Sequence, residues 1–201
     1  MNLIDLALHI PAFINKQDCE SIIDFYEKQS EDKKYYDNYS DNYGVDKKVS
    51  GRNIEITKDD YVFSMINTYV QKAVESWIEH IKGFKMFDDS KFQNSICSAG
   101  RYRLIKYSSG ERIEKHTDID TNSRIRSTVR GSCIFTFSSP TDYEGGEFEL
   151  WNKEYSIKFG KGDLFIFPAD AFWMHSTALI TNGSRYSFNT LLHPHMGGMN
   201  G

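Results

Sequence analysis

The hydrophobic period of this chain changes once, near Ser95, and that change constrains the fold more than any other feature. From Ser95 on, apolar residues recur every second position, in the runs RYRLIKY, SCIFTFS, GEFELW, YSIKF, DLFIFP, FWMHSTALI and RYSFNTLL. The turn-forming stretches SSG, DYEGG, GKG, PAD and TNG separate them. Alternation at period two is the signature of half-buried strands. Before Ser95 the period is helical. LHIPAFINKQDCESIIDFYEKQ reads as a short strand followed by a helix, with Asn15 as N-cap, Asp18 three residues on, and Cys19, Ile22, Ile23, Phe25 and Tyr26 as its apolar stripe. A second helix is expected from Asp59 to Ile81, with Tyr61, Met65, Tyr69, Val62, Ile66, Val70, Val74, Trp77, Ile78 and Ile81 on one face and Gly83 as the residue after its end. Seven strands after two helices imply a sandwich or barrel with helices packed on one face.

Composition supports this division. Aromatic residues make up 14% of the chain, with 14 Phe and 12 Tyr against four Pro, and such side chains favour a pleated surface. At 201 residues the chain fits one domain, in which residues 1–90 form a strand-and-helix support and 95–192 the β-core. The polar stretch 30–50, with four tyrosines and no helical period, reads as a long flexible loop or lid. No apolar run reaches the roughly 20 residues of a membrane span. The opening MNLIDLALHIP has no basic lead and carries Asp5, which argues against a signal peptide. Cys19, Cys97 and Cys133 are odd in number and widely spaced, so reduced thiols, mostly in the core, and a cytoplasmic setting are expected. The net charge of −4 excludes nucleic-acid binding by bulk electrostatics. The segment from Arg101 to Arg130 is nevertheless net +4, a basic region able to steer an anionic co-substrate.

Within the β-half, EKHTDID places His116 and Asp118 two residues apart, on one face of an extended chain. FWMHST adds His175 on a late strand. Two imidazoles and a carboxylate form the facial set that binds non-haem Fe(II) and leaves positions open for substrate and dioxygen. An H-x-D pair alone is weak evidence, and buried histidines often serve only packing. Arg185, ten residues after His175, sharpens the reading. A three-residue loop Thr181-Asn182-Gly183, with Gly183 left-handed, pairs Leu179 with Arg185 and His175 with Asn189 and turns both functional side chains inward, ~13 Å apart along the strand. That spacing suits a small dicarboxylate chelated at one end and held by a guanidinium at the other. A two-residue Asn182-Gly183 loop would turn Arg185 outward instead. The terminal HPHMGG offers His193 and His195 as a second pair of imidazoles.

KYSSGERIEKHTD, SCIFTFSSPTDYEGGEFEL, GKGDLFIFP and the spacing from His175 to Arg185 together resemble the prolyl 4-hydroxylase-like branch of the Fe(II)/2-oxoglutarate dioxygenases. SSPTDYEGGEF is similar to its PKHD-type hydroxylases, and IPAFINKQDCESII to the strand-helix opening of such proteins. The resemblance implies a double-stranded β-helix, or jelly roll, packed by N-terminal helices. It implies His116, Asp118 and His175 as catalytic iron ligands, Arg185 as partner of the distal carboxylate of 2-oxoglutarate, and Tyr107 against the co-substrate. A tyrosine found after the metal-binding strand in some prolyl hydroxylases is Phe135 here, leaving Thr136 or Ser187 to supply a hydroxyl, and Leu191 stands where tryptophan is common. Implied with these are Fe(II), 2-oxoglutarate, dioxygen and ascorbate as reductant, and hydroxylation of an unactivated C–H bond. A prolyl residue of a peptide or protein is the first expectation for the substrate. A free amino acid or small metabolite, and a non-catalytic jelly-roll binding module, are the alternatives.

Overall fold

Alternation in the β-half and helical periodicity in the N-terminal half resolve into two facing sheets with helices against the outer side of one. The computed structural model describes residues 1–36, 51–85, 88–119 and 128–194. In chain order its elements are β1 (Leu8–Ile10), α1 (Lys16–Glu27), β2 (Tyr35–Tyr36), β3 (Arg52–Ile56), α2 (Phe63–Lys82), α3 (Asp89–Ser95), β4 (Ser98–Ala99), β5 (Tyr102–Ser108), β6 (Ile113–His116), β7 (Gly131–Thr136), β8 (Tyr143–Gly145), β9 (Phe148–Leu150), β10 (Tyr155–Ile157), β11 (Leu164–Pro168), β12 (His175–Thr177) and β13 (Ile180–His193). The major sheet runs β1-β11-β7-β13-β5-β3-β2, with β4 and β8 also on β13, and the minor sheet runs β10-β9-β12-β6. This is the expected jelly roll, and strands from both halves of the chain share the major sheet.

Helix α1 begins where Asn15 accepts a hydrogen bond from the Asp18 amide, and it buries Cys19, Ile22, Phe25 and Tyr26, as its stripe requires. Helix α2 starts later than its pattern suggests. The Asp60 carboxylate accepts from the Thr57 amide at 2.7 Å and closes a turn, so the helix opens only at Phe63. Tyr61 is therefore outside the helix and exposed. Gly83 follows the end of the helix, as expected, and caps it in right-handed geometry (φ −59°). The α2 stripe is Ile66, Val70, Ala73, Trp77 and Ile81. It packs with Tyr102, Leu104, Cys133, Phe135, Leu164, Ile166, Phe188 and Leu192 of the major sheet.

The alternate residues of the same strands face the minor sheet. Ile134, Phe165 and Phe167 meet Phe148, Leu150, Ile157, Phe159 and Trp173 in a second core. Each such buried aromatic contributes roughly 1.5–3 kcal/mol. Strand β13 shows the division: Phe188 and Leu192 join the helices, while Arg185, Ser187 and Asn189 take the opposite parity.

Two expectations about connections need correction. His175 does not pair with Asn189. It pairs with Leu150 and His116 in the minor sheet, whereas Asn189 pairs with Arg103 and Ile134 in the major one. No hairpin forms at Asn182-Gly183, because Ile180–His193 is one continuous strand. Gly183 is left-handed (φ +76°) as expected, but it sits inside that strand opposite Tyr143 of β8. Of the stretch 30–50, residues 31–33 form a single 3₁₀ turn, Tyr35–Tyr36 make β2 on β3, and 37–50 lie outside the described residues. Cys19 and Cys133 are buried thiols, but Cys97 is exposed, beyond the end of α3, where its Sγ donates to the Asn94 carbonyl.

Candidate metal centre

Strand β6 ends at His116, and β12 begins at His175 directly across from it, so the two rings lie 4.3 Å apart between centroids. The Nδ1 of His116 bonds the Glu114 carbonyl at 2.8 Å, and that of His175 bonds the Trp173 carbonyl at 2.9 Å. A carbonyl only accepts, so each Nδ1 carries a proton, which leaves Nε2 as the atom each ring can offer to a metal. Both Nε2 atoms face Asp118, at 3.9 Å from Oδ1 for His116 and 3.8 Å from Oδ2 for His175. The three residues each offer a ligand atom within 4.8 Å of the others, the one such group among the described residues. Asp118 is 3% exposed, and its Oδ2 is buried without a hydrogen-bond partner. Burial alone would push its carboxyl up, but the facing His175 and His116, a Ser132 hydrogen bond and the Arg103 charge hold it below the usual range. Two imidazole nitrogens and a carboxylate oxygen within 4.8 Å of one another, with Asp118 Oδ2 lacking a hydrogen-bond partner, suit one transition-metal ion with positions left open.

Arg185 is 2% exposed, and its guanidinium reaches Thr177 of β12, the strand that carries His175. Its Nη1 donates to the Gly146 carbonyl (3.1 Å) and to Thr177 Oγ1 (3.5 Å), and its Nε has no partner. The guanidinium lies 5.6 Å from the Tyr107 ring centroid and 5.7 Å from that of Phe159. Thr177 is two residues from His175, so the arginine docks about 7 Å along the strand from the metal ligand, not ~13 Å. The inward orientation of Arg185 holds, although the hairpin that implied it does not.

Of the other expected residues, Tyr107 is buried directly opposite Arg185 in the β5–β13 ladder, and Ser187 is buried two residues along from Arg185. Thr136, opposite Ser187, commits its hydroxyl to the Gly160 carbonyl at 2.7 Å and has none to offer a co-substrate. Phe135 is not at the site at all. It stacks on Phe13 and Phe188 in the helix-side core. His193 is buried with Nδ1 2.9 Å from Thr128 Oγ1, and His195 lies outside the described residues. Thr177, Ser132, Arg103 and Asn189 escaped notice in the sequence. Thr177 carried a usable signal, two residues after His175 on the same strand face.

A family model described as the 2OG-Fe(II) oxygenase superfamily matches residues 102–193. A PKHD-type hydroxylase of Stenotrophomonas maltophilia (strain R551-3) is 30% identical over 90 residues, covering 41% of this chain and 38% of the relative. One from Beijerinckia indica is 33% identical over 88 residues, covering 40% and 37%. The match thus spans under two fifths of each relative's length. Among solved structures, a prolyl hydroxylase from Trichoplax adhaerens, in complex with a hypoxia inducible factor oxygen degradation domain peptide fragment, superposes with a TM-score of 0.68 at 16% identity (94% of this chain, 84% of that one). The viral collagen prolyl hydroxylase of Paramecium Bursaria Chlorella virus-1, as its 2OG complex, gives 0.64 at 13% identity (94% and 95%). These likenesses show the shared fold. The match to the 2OG-Fe(II) oxygenase family model, residues 102–193, coincides with the strands that carry the motifs.

Proposed function

We propose that this chain is an Fe(II)- and 2-oxoglutarate-dependent dioxygenase that hydroxylates an unactivated C–H bond, on a prolyl residue of a peptide or protein. The observation that carries the reading is the His116–Asp118–His175 group, whose Asp118 Oδ2 has no hydrogen-bond partner, with the buried Arg185 guanidinium, its Nε unpartnered, against Thr177 of the strand that bears His175. His116, Asp118 and His175 would hold Fe(II). When bound, the ion with 2-oxoglutarate and dioxygen supplies the oxidising power for C–H hydroxylation, releasing succinate and carbon dioxide.

The chain's own residues do the placing. The Glu114 and Trp173 carbonyls lock both imidazoles in the tautomer that ligates through Nε2. Arg185 receives the distal carboxylate, with Thr177 and the Tyr107 ring fixing its plane. Ser187 stands beside it as a hydroxyl donor. The aromatic wall of Phe148, Phe165 and Phe167 excludes water. Likeness to proteins named prolyl hydroxylases, one of them solved with a peptide fragment, supports a peptide-borne prolyl substrate. Shared sheet membership of β1, β3 and the β-core supports one catalytic domain over the whole chain. No helix among the described residues is long and apolar enough to cross a membrane, and three free thiols support a reducing, cytoplasmic setting in which ascorbate serves as reductant.

Anaerobic addition of Fe(II) and 2-oxoglutarate should produce a weak visible charge-transfer band that His116→Ala abolishes. A peptide panel with free proline as a separate arm should then show a one-oxygen mass gain coupled to succinate release. No band in the wild type refutes the iron reading, and mass gain on free proline alone refutes the peptide.

A further inference from the structure

Strand β3 buries a polar side chain that the protein leaves half satisfied. Asn53 is 2% exposed, and its Nδ2 donates to the Gly51 carbonyl at 3.0 Å and to the Tyr35 carbonyl at 3.5 Å. Carbonyls only accept, so the carboxamide is held one way round: its NH2 end is engaged, and Oδ1 is the end presented. That oxygen is buried without a hydrogen-bond partner. An unmatched buried acceptor destabilises a fold, so its presence asks for a donor.

Register puts Asn53 on the face of the major sheet that carries Arg185. Asn53 pairs with Ile105 of β5, and Ile105 pairs with Ser187 of β13. Its neighbour Ile54 packs with Leu104 on the helix side. Asn53 therefore takes the other face, with Ile105, Tyr107, Ser187 and Arg185. Two strand spacings, about 10 Å, separate it from Ser187. Close contacts link it to the arginine as well. A Cβ on Gly51, whose carbonyl holds Asn53, would lie 2.8 Å from Cδ1 of Tyr107, and the Arg185 guanidinium is 5.6 Å from the centroid of that ring.

We propose that the Asn53 carboxamide oxygen receives a backbone N–H of the peptide substrate, which makes Asn53 a positioning residue for the peptide and not for the co-substrate. The proposal rests on the dioxygenase reading above and deepens it. The chemistry of the reactants makes the choice. At neutral pH 2-oxoglutarate carries two carboxylates and a ketone, all acceptors, so it has nothing to donate to Oδ1. Dioxygen, succinate and carbon dioxide bring no donor either. A prolyl residue within a chain has no N–H. The donor is therefore the amide of a residue flanking the target proline, a group that every peptide offers whatever its side chains.

The test loads the full chain with Fe(II) and 2-oxoglutarate under nitrogen. Fluorescence anisotropy then follows the binding of labelled, end-blocked peptides Ala-Ala-X-Pro-Y-Ala-Ala, with each backbone amide N-methylated in turn. One N-methylation beside the proline is expected to cost the wild type about tenfold in Kd. Asn53→Ala should bind the parent peptide about tenfold more weakly and lose nothing further on that N-methylation. Its 2-oxoglutarate affinity, read from the visible band, should stay within about twofold of wild type. If Asn53→Ala does not fold, Asn53→Leu, apolar and of similar shape, takes its place with the same expectations. Equal peptide binding by both proteins, or an equal N-methyl penalty in both, overturns the proposal and leaves solvent as the partner of Oδ1. Weaker 2-oxoglutarate binding by the variant overturns it too, by placing Asn53 in the co-substrate pocket. A wild type that forms the band and binds none of the peptides refutes the peptide substrate, and the proposal with it, a result distinct from peptide binding that is indifferent to Asn53.

Discussion

Replacing Arg185 with methionine separates a guanidinium kept for a ligand from one kept for the fold. In the ligand-free protein the side chain is a buried cation with two neutral acceptors, Gly146 O and Thr177 Oγ1, and two aromatic faces. Methionine forfeits those hydrogen bonds, at about 1–3 kcal/mol for each acceptor left unsatisfied. It also removes the desolvation penalty of a buried charge, which is several kcal/mol. The opposing contributions leave the metal-free stability within about 2 kcal/mol of wild type. Co-substrate binding has no such compensation. Truncating one partner of a buried, hydrogen-bonded charge pair costs about 2–5 kcal/mol, or roughly 30- to 4,000-fold in Kd. The assay is anaerobic titration of the Fe(II)-loaded protein with 2-oxoglutarate, followed by its visible band, beside a 2-oxo acid of similar size lacking the distal carboxylate. Arg185→Met should lose affinity for the first and not for the second. Binding of 2-oxoglutarate within about threefold of wild type would refute the assignment of Arg185.

Further outcomes follow from positions away from the metal. Gly183→Ala should destabilise by more than about 1 kcal/mol in denaturant titration, since φ is +76° and a Cβ would lie 2.1 Å from the Asp142 carbonyl oxygen; because Gly183 lies two residues before Arg185 on β13, 2-oxoglutarate affinity should fall as well. Phe135→Tyr should cost about 1–3 kcal/mol by burying a hydroxyl between Phe13 and Phe188, yet leave 2-oxoglutarate affinity unchanged, because the ring faces the helices; a rise in affinity would place Phe135 at the site after all. Burial, and then the nearby Arg130 charge, depress the His193 imidazole below its ordinary value near 6.5. The unfolded chain therefore takes up the proton first: stability is complete above about pH 6.5 and declines as pH falls from there toward the depressed folded value. His193→Gln should flatten that slope in urea midpoints measured across the range.

Much of this fold was legible because period-two alternation is a local property. Each residue of a strand meets one side or the other whatever the strand's neighbours, so the helix-facing and hollow-facing sets of β5, β7, β11 and β13 could be read directly. The H-x-D pair was legible from its spacing, although Asp118 lies in a bend two residues beyond the end of β6, and the cap at Asn15 because a cap spans only three residues. Alternation does not say which sheet a strand joins. The Asn182-Gly183 dipeptide looked like a hairpin, yet the chain passes straight through it, leaving the short β12 in the minor sheet and carrying β13 into the major one. Phe135, noted as standing where some prolyl hydroxylases carry a tyrosine, turns its ring to the helix-side core, since neighbouring positions on a strand face opposite cores.

The amino-acid order by itself pointed to the period-two strands of the β-half, their two apolar faces and His116, Asp118 and His175 as the group that could hold a metal. Tertiary structure alone decided that His175 lies against His116 and that Thr177 receives Arg185. These pairings join residues tens of positions apart, and their energies arise only when the two sheets close over one water-excluding hollow. No local pattern records which strands meet there.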